Sequence, residues 1–192
     1  LSQTGVIPDC TYTFKHILMQ DTAYQSLLKS TRGTLHAQVA QTLETQFPEK
    51  TEREPDLLAY HFQEAGDPER AAFYWSVACR RALGSFALLE AIELARSGLR
   101  SVERLPSSTE RDRAELALTS LLGKGLLTTR GYADPEVEPT FTRALELCES
   151  LGDEPQLFQI VGGLWMYFEI GGEAEHALAL AERLIRMAEA DA

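Results

Sequence analysis

Residues 67–102, DPERAAFYWSVACRRALGSFALLEAIELARSGLRSV, contain two amphipathic stretches parted by Gly84-Ser85. In the second, Leu88, Ile92, Ala95, Leu99 and Val102 step by 4, 3, 4 and 3 residues, the period that lines apolar side chains along one face of an α-helix. Trp75, Ala78, Cys79 and Ala82 share one face of the first. The stepping returns at Val137, Phe141, Ala144, Cys148 and Leu151, and again at Ala177, Ala181, Leu184 and Ala188. Six helix candidates follow residue 54, divided by Gly66-Asp67-Pro68, Gly84-Ser85, Pro106-Ser107-Ser108, Gly131 to Pro135, Gly152-Asp153 and Gly171-Gly172. Leu157 to Phe168 is apolar around most of its circumference, which predicts the most buried helix, with Trp165 packed between its own helix pair and the preceding one. The expected fold class is all-α.

Upstream the pattern differs. Tyr12 and Phe14 alternate with Thr11, Thr13 and Lys15, the period of one short strand. Ile17, Tyr24, Leu27 and Leu28 then share a helical face, and after Ser30-Thr31-Arg32-Gly33 a second helix places Leu35, Val39 and Leu43 four apart until Pro48 ends it. Residues 48–54 are charged and hold no large apolar side chain. They divide the chain into an N-terminal unit 1–47, a linker 48–54 and a helical region 55–192.

The chain has 192 residues, 44% of them apolar, and a formal net charge of -11. That composition excludes a disordered or collagen-like chain. Residues 130–192 carry 4 basic and 13 acidic side chains, so this half repels nucleic acid and anionic lipid. The longest apolar runs fall short of the ~20 residues that span a bilayer. Leu1 to Pro8 has neither the basic region nor the apolar core of a signal peptide, and a first residue other than Met suggests a piece of a longer protein. Cys10, Cys79 and Cys148 stand 69 residues apart without a CxxC pair, against a zinc site or a disulfide framework and in keeping with the cytoplasm.

Helices of similar length joined by short turns raise the question of repeats. A tetratricopeptide unit keys large residues of its first helix into its neighbours and keeps small residues on its second. Trp75 to Ala82 with Ala91, Ala95 and Gly98 satisfies this, as do Val161, Leu164, Trp165 and Phe168 with Ala177, Ala181 and Leu184. Ala114 to Leu127 with Val137, Phe141 and Ala144 makes a third pair around an enlarged turn at Thr128 to Asp134. The equivalent positions Gly98, Ala144 and Leu184 are 46 and 40 residues apart, which leaves armadillo or HEAT pairing open. The architecture expected is a tetratricopeptide-like right-handed array of antiparallel helix pairs.

Several stretches together resemble a known family: Tyr12 to His16, Ala23-Tyr24 through Leu27-Leu28 to Leu35-His36, Leu58 to Phe62 with Ala65-Gly66-Asp67, and Gly131 to Val137. Their order is similar to that in large bacterial signal-transducing multidomain (STAND) ATPases, which join a P-loop module, a winged-helix segment and a tetratricopeptide-like array, often with a class III adenylate cyclase or a LuxR-type DNA-binding domain. The resemblance implies that 1–47 is the C-terminal part of a winged-helix segment and that the array follows it. No GxxxxGK[ST] sequence is present, so the family's catalytic residues have no positions here.

No candidate for chemistry stands out. His16, His36, His61 and His176 form no HxxxH pair, and a packed role for His61 is expected between Tyr60 and Phe62. Cys79 beside Arg80 and Arg81 reads as a buried small residue rather than an activated thiol. Ser26, Ser30 and Ser85 lack a GxSxG setting. Gly123, Gly125, Gly162 and Gly163 inside helices imply close backbone approach, or else a cleft wall. Arg80, Arg81, Arg96, Arg100, Arg104, Arg111 and Arg113 alternate with carboxylates at spacings that let most of them pair.

Catalytic residues, cofactors and metals are therefore expected to be none. The expected role is a non-catalytic interaction or sensor scaffold that binds a protein, a peptide or other domains of its own polypeptide. Its groove would be lined by Phe73, Ser76, Arg80 and Leu83 from one pair and Gln159, Gly162, Met166 and Glu169 from another. The alternative is the inducer-binding solenoid of a transcription regulator, taking a small-molecule effector against the paired glycines with Trp165, Met166 and Tyr167.

Overall fold

The computed structural model describes residues 2–6, 9–13, 17–132 and 134–190. It is an all-helical protein led by a small hairpin. Strands β1 (Ser2–Val6) and β2 (Asp9–Thr13) pair antiparallel, from Ser2 opposite Thr13 to Val6 opposite Asp9. The alternation at Tyr12 marks β2, whereas Phe14, Lys15 and His16 lie outside the described residues. Ten helices follow among the described residues: α1 (Ile17–Ser26), α2 (Lys29–Gln46), α3 (Pro48–Arg53), α4 (Pro55–Ala65), α5 (Pro68–Gly84), α6 (Leu88–Val102), α7 (Thr109–Arg130), α8 (Val137–Leu151), α9 (Glu154–Gly171) and α10 (Ala174–Ala190). Among the described residues seven helices, not six, therefore follow residue 54, because six breakers divide that stretch into seven segments.

The breaks have local causes. The Asp67, Ser108 and Asp153 side chains accept hydrogen bonds from the backbone N–H groups of Arg70, Arg111 and Gln156, satisfying donors that the first turn leaves unpaired. Gly66, Gly152 and Gly172 close α4, α8 and α9 in the left-handed conformation, at φ of 80°, 66° and 77°. Connections of two to six residues join α4 through α10, so the chain doubles back at each and consecutive helices pack side by side. Helix α5 also touches α7 directly.

The stretch 48–54 differs from the linker read in the sequence. Its first six residues form α3, started by Pro48 at the first helical position, where no N–H is needed. Across it α2 packs on α4: Ala40 shares a buried cluster with Leu58, Ala59, Phe62, Ala71 and Trp75. Glu44 of α2 accepts hydrogen bonds from Arg70 and from the Tyr74 hydroxyl of α5, and the Arg70 guanidinium lies 4.0 Å from the centre of the Phe62 ring. The N-terminal helices thus share a core with the helical region.

The main core runs from α5 to α9 through Ile92, Leu116, Leu126, Val137, Phe141 and Leu164. Contrary to the hydropathy of its sequence, α9 is not the most buried helix. Only Ile160, Val161 and Leu164 are buried in it, against seven residues in each of α5 and α7. Phe158 is 49% and Ile170 54% exposed, while Trp165, Met166, Tyr167 and Phe168 are half-buried. Helix α9 rests on α8 and α10 but scarcely on α7, so one of its sides stays open. No helix among the described residues is long and apolar enough to cross a membrane.

Candidate functional site

Two of the clefts beside α7 take up residues of the expected groove. The first lies between α5 and the start of α7, has a volume of about 570 Å³, and holds Phe73, Ser76 and Arg80 of the expected groove. Phe73 is 58% exposed, while Ser76 is buried and its hydroxyl donates to the Phe73 carbonyl at 2.7 Å. The opposite wall is Leu105, Pro106, Ala114 and Ala117, with Arg111 and Arg113 at the N-terminal end of α7 and Glu69 and Glu110 at the rim. The second cleft, about 370 Å³, lies between the C-terminal half of α7 and α9 and holds Gln159 and Gly162 of the expected groove. Leu83 is half-buried against the main core instead, and half-buried Met166 and exposed Glu169 line neither cleft. Trp165 and Tyr167, expected in an effector pocket, are absent from both linings; Phe158, Tyr132 and Phe141 supply the aromatic surface of the second.

Arginine pairing is sparser than the spacings suggested. Arg96 binds Glu93 at 2.7 Å and Glu136 at 2.6 Å, and Arg111 lies 3.6–3.7 Å from Glu115 and Asp112. Among the described residues Arg80, Arg81, Arg100, Arg104 and Arg113 form no ion pair within 4.0 Å. Two of these five, Arg80 and Arg113, flank the first cleft.

The internal glycines divide between two roles. A Cβ at Gly123 would stand 2.8 Å from the Phe141 ring, one at Gly163 2.5 Å from the same ring, and one at Gly125 3.0 Å from Ile92. All three admit a side chain from the neighbouring helix. A Cβ at Gly162 would meet nothing within 4 Å, and Gly162 lines the second cleft. Glycine inside a helix costs roughly 0.5–1 kcal/mol relative to Ala, and at Gly162 packing supplies no compensation.

The histidines form a pair that sequence spacing did not reveal. His36 Nδ1 and His61 Nδ1 are 2.8 Å apart, and the Tyr24 hydroxyl is 2.9 Å from His36 Nε2. If Tyr24 donates to Nε2, His36 Nδ1–H is left to donate to His61. Burial, then the neighbouring His36, holds the His61 pKa below its usual value. Among the described residues no three His, Cys, Asp or Glu side chains are grouped to hold a metal ion; His16 lies outside those residues. Burial pushes the Cys79 thiol up to about 11, against the weaker opposing effect of Arg80, and its S–H donates to the Ala91 carbonyl. That is the setting of an inert core cysteine.

No protein-family model matches the chain. A stretch of 157 residues is 24% identical to an uncharacterized protein of Rhizobium meliloti (strain 1021) and covers 81% of this chain. The chain spans about 15% of the length of that curated relative.

Proposed function

We propose that this chain is a tetratricopeptide-like module with a right-handed array of helix pairs, preceded by the end of a winged-helix segment. It acts as a non-catalytic interaction or sensor scaffold within a cytoplasmic bacterial regulator of the signalling ATPase or adenylate cyclase type. The succession α2/α4, α5/α6, α7/α8 and α9/α10, each packed chiefly on its neighbours, supports the array. Similarity to a small share of a much longer bacterial protein supports a module set among other domains.

The observation that carries the scaffold role is the first cleft. A 58% exposed Phe73 beside Ala72, Leu105 and Ala114 is an apolar anchor point, and Arg80 and Arg113 offer unpaired donors at its edge. Such a combination suits a protein segment that inserts a bulky side chain and meets the guanidiniums with carboxylates or carbonyls. A photo-crosslinking amino acid at Phe73 in the full-length protein tests this. The expected result is a crosslink to one defined peptide, from another domain of the same polypeptide or from a partner. A yield no higher than from Leu89, 67% exposed and away from the cleft, refutes the role. The second reading, a small-molecule effector, draws on a different observation, the glycine wall of the second cleft.

A further inference from the structure

The second cleft has features that packing leaves unexplained. Gly123, Gly125 and Gly163 make room for neighbouring side chains, but Gly162 makes room for none. Its bare backbone forms part of the wall beside Phe158, which is half exposed, with the Phe141 ring in the same lining. The hydroxyl oxygen of Ser120 is recessed in that lining, buried and without a hydrogen-bond partner. A helix thus tolerates an unfavourable residue where a flat group would lie closest to its backbone, and an unused donor stands nearby.

The charge of the lining narrows the ligand. The chain carries -11 overall and 13 acidic residues over 130–192, yet among the described residues the cleft wall holds no carboxylate. Lys124 is the single charged residue among those described in the lining, and it forms no ion pair with any described residue. Gln156 and Gln159 add neutral hydrogen-bonding groups. A volume of about 370 Å³ lies at the small end of ligand sites, which run from roughly 300 to 1,000 Å³.

We infer that the α7–α9 cleft binds a small aromatic carboxylate, its ring lying over the Gly162 backbone against Phe158 and Phe141 and its carboxylate meeting Lys124 and Ser120. The inference rests on the effector reading and adds the ligand's chemical class and its contacts. One cation opposite one anion sets the orientation, and the two phenyl rings exclude molecules that lack a flat apolar body.

The test uses naphthalene-2-carboxylate and its neutral counterpart naphthalene-2-carboxamide, with binding followed by ligand-observed NMR on the intact chain. The carboxylate is expected to bind at least tenfold more tightly than the amide. Lys124→Ala should erase that preference while leaving amide binding unchanged. Gly162→Leu should abolish binding of both. Because a leucine could disturb folding, Gly162→Ala is the companion variant: it should raise the denaturation midpoint and weaken both probes severalfold. Equal affinity for the two probes, or a preference that survives Lys124→Ala, overturns the carboxylate assignment; amide binding that is still lost in Gly162→Leu would leave the effector reading standing. Binding that ignores both Gly162 variants overturns the site, and no binding of either probe at millimolar concentration overturns the inference as a whole.

Discussion

Substituting Gly163 by alanine places a methyl group against a ring with little room to retreat. The Cβ would lie 2.5 Å from Phe141 Cε1 and 2.9 Å from Cδ1 and Cζ, whereas carbon atoms rest at roughly 3.5–4.0 Å, so the ring must withdraw by about 1 Å. On its other side the same ring faces Gly123, where a Cβ position stands 2.8 Å from Cε2, and Phe141 is buried in the main core. Overpacking of this kind costs about 1–3 kcal/mol, and the better helix propensity of alanine returns about 0.5–1 kcal/mol. The net expectation is a loss, of up to about 2.5 kcal/mol. Urea denaturation followed by helical circular dichroism measures it, with an unchanged m-value showing that the unfolded state is the same. Gly123→Ala should lose a similar amount. The double variant should lose more than the two added together, because each methyl removes the other's escape route. Phe141→Leu, itself destabilising, should cost less in the Gly163→Ala background. A Gly163→Ala protein as stable as the parent would refute the account of why this glycine is a glycine.

Two further outcomes test the placement of side chains. Trp75 is 9% exposed, packs with Leu58, Phe62 and Ala71, and donates its indole N–H to Gln63, so Trp75→Ala should lose about 3–5 kcal/mol in denaturation; Trp165→Ala, at a half-buried position, should lose less than half as much, and equal losses would contradict the packing described for α9. The fold holds the His61 pKa below the value near 6.5 that the unfolded chain regains, so below that pH the unfolded state takes up a proton that the fold resists and stability falls as pH drops. Urea midpoints from pH 7.5 to 5.5 should decline, and less steeply in His61→Asn; parallel slopes would show that the fold does not resist protonation of His61.

Helices and their ends were legible in the sequence because their causes are local. Gly66-Asp67-Pro68 ends one helix with a left-handed glycine, caps the next with a carboxylate and starts it with a residue that needs no N–H, all within three positions. What failed was anything that depends on the neighbour. The apolar surface of α9 states a preference for burial, but whether a helix covers it is decided elsewhere, and the side facing α7 is left as a cleft. The expectation for Trp165 failed by one position on the helical wheel: Leu164 turns inward, and a rotation of 100° leaves its neighbour half-buried. Residues 48–54 lack large apolar side chains and still hold a helix, since Pro48 and the five residues after it suffice for a short one with none of its residues buried.

The site residues show the same division more sharply. Spacing along one helix offered Arg96 a partner at Glu93, and the structure supplies both that partner and Glu136, forty residues on, at a slightly shorter distance. Arg113 had a similar local opportunity at Glu110 and did not take it, whereas Arg80 has no carboxylate three or four residues away; both line the cleft between α5 and α7. His36 and His61 are 25 residues apart and meet only because α2 packs on α4. The glycines were visible as anomalies, but two explanations, close packing and a cleft wall, fitted all four. Only the ring of Phe141 and the side chain of Ile92, brought in from other helices, separate Gly123, Gly125 and Gly163 from Gly162. A sequence can mark where backbone is kept bare; whether a neighbouring side chain or an open cleft lies beyond it is a property of the packed helices.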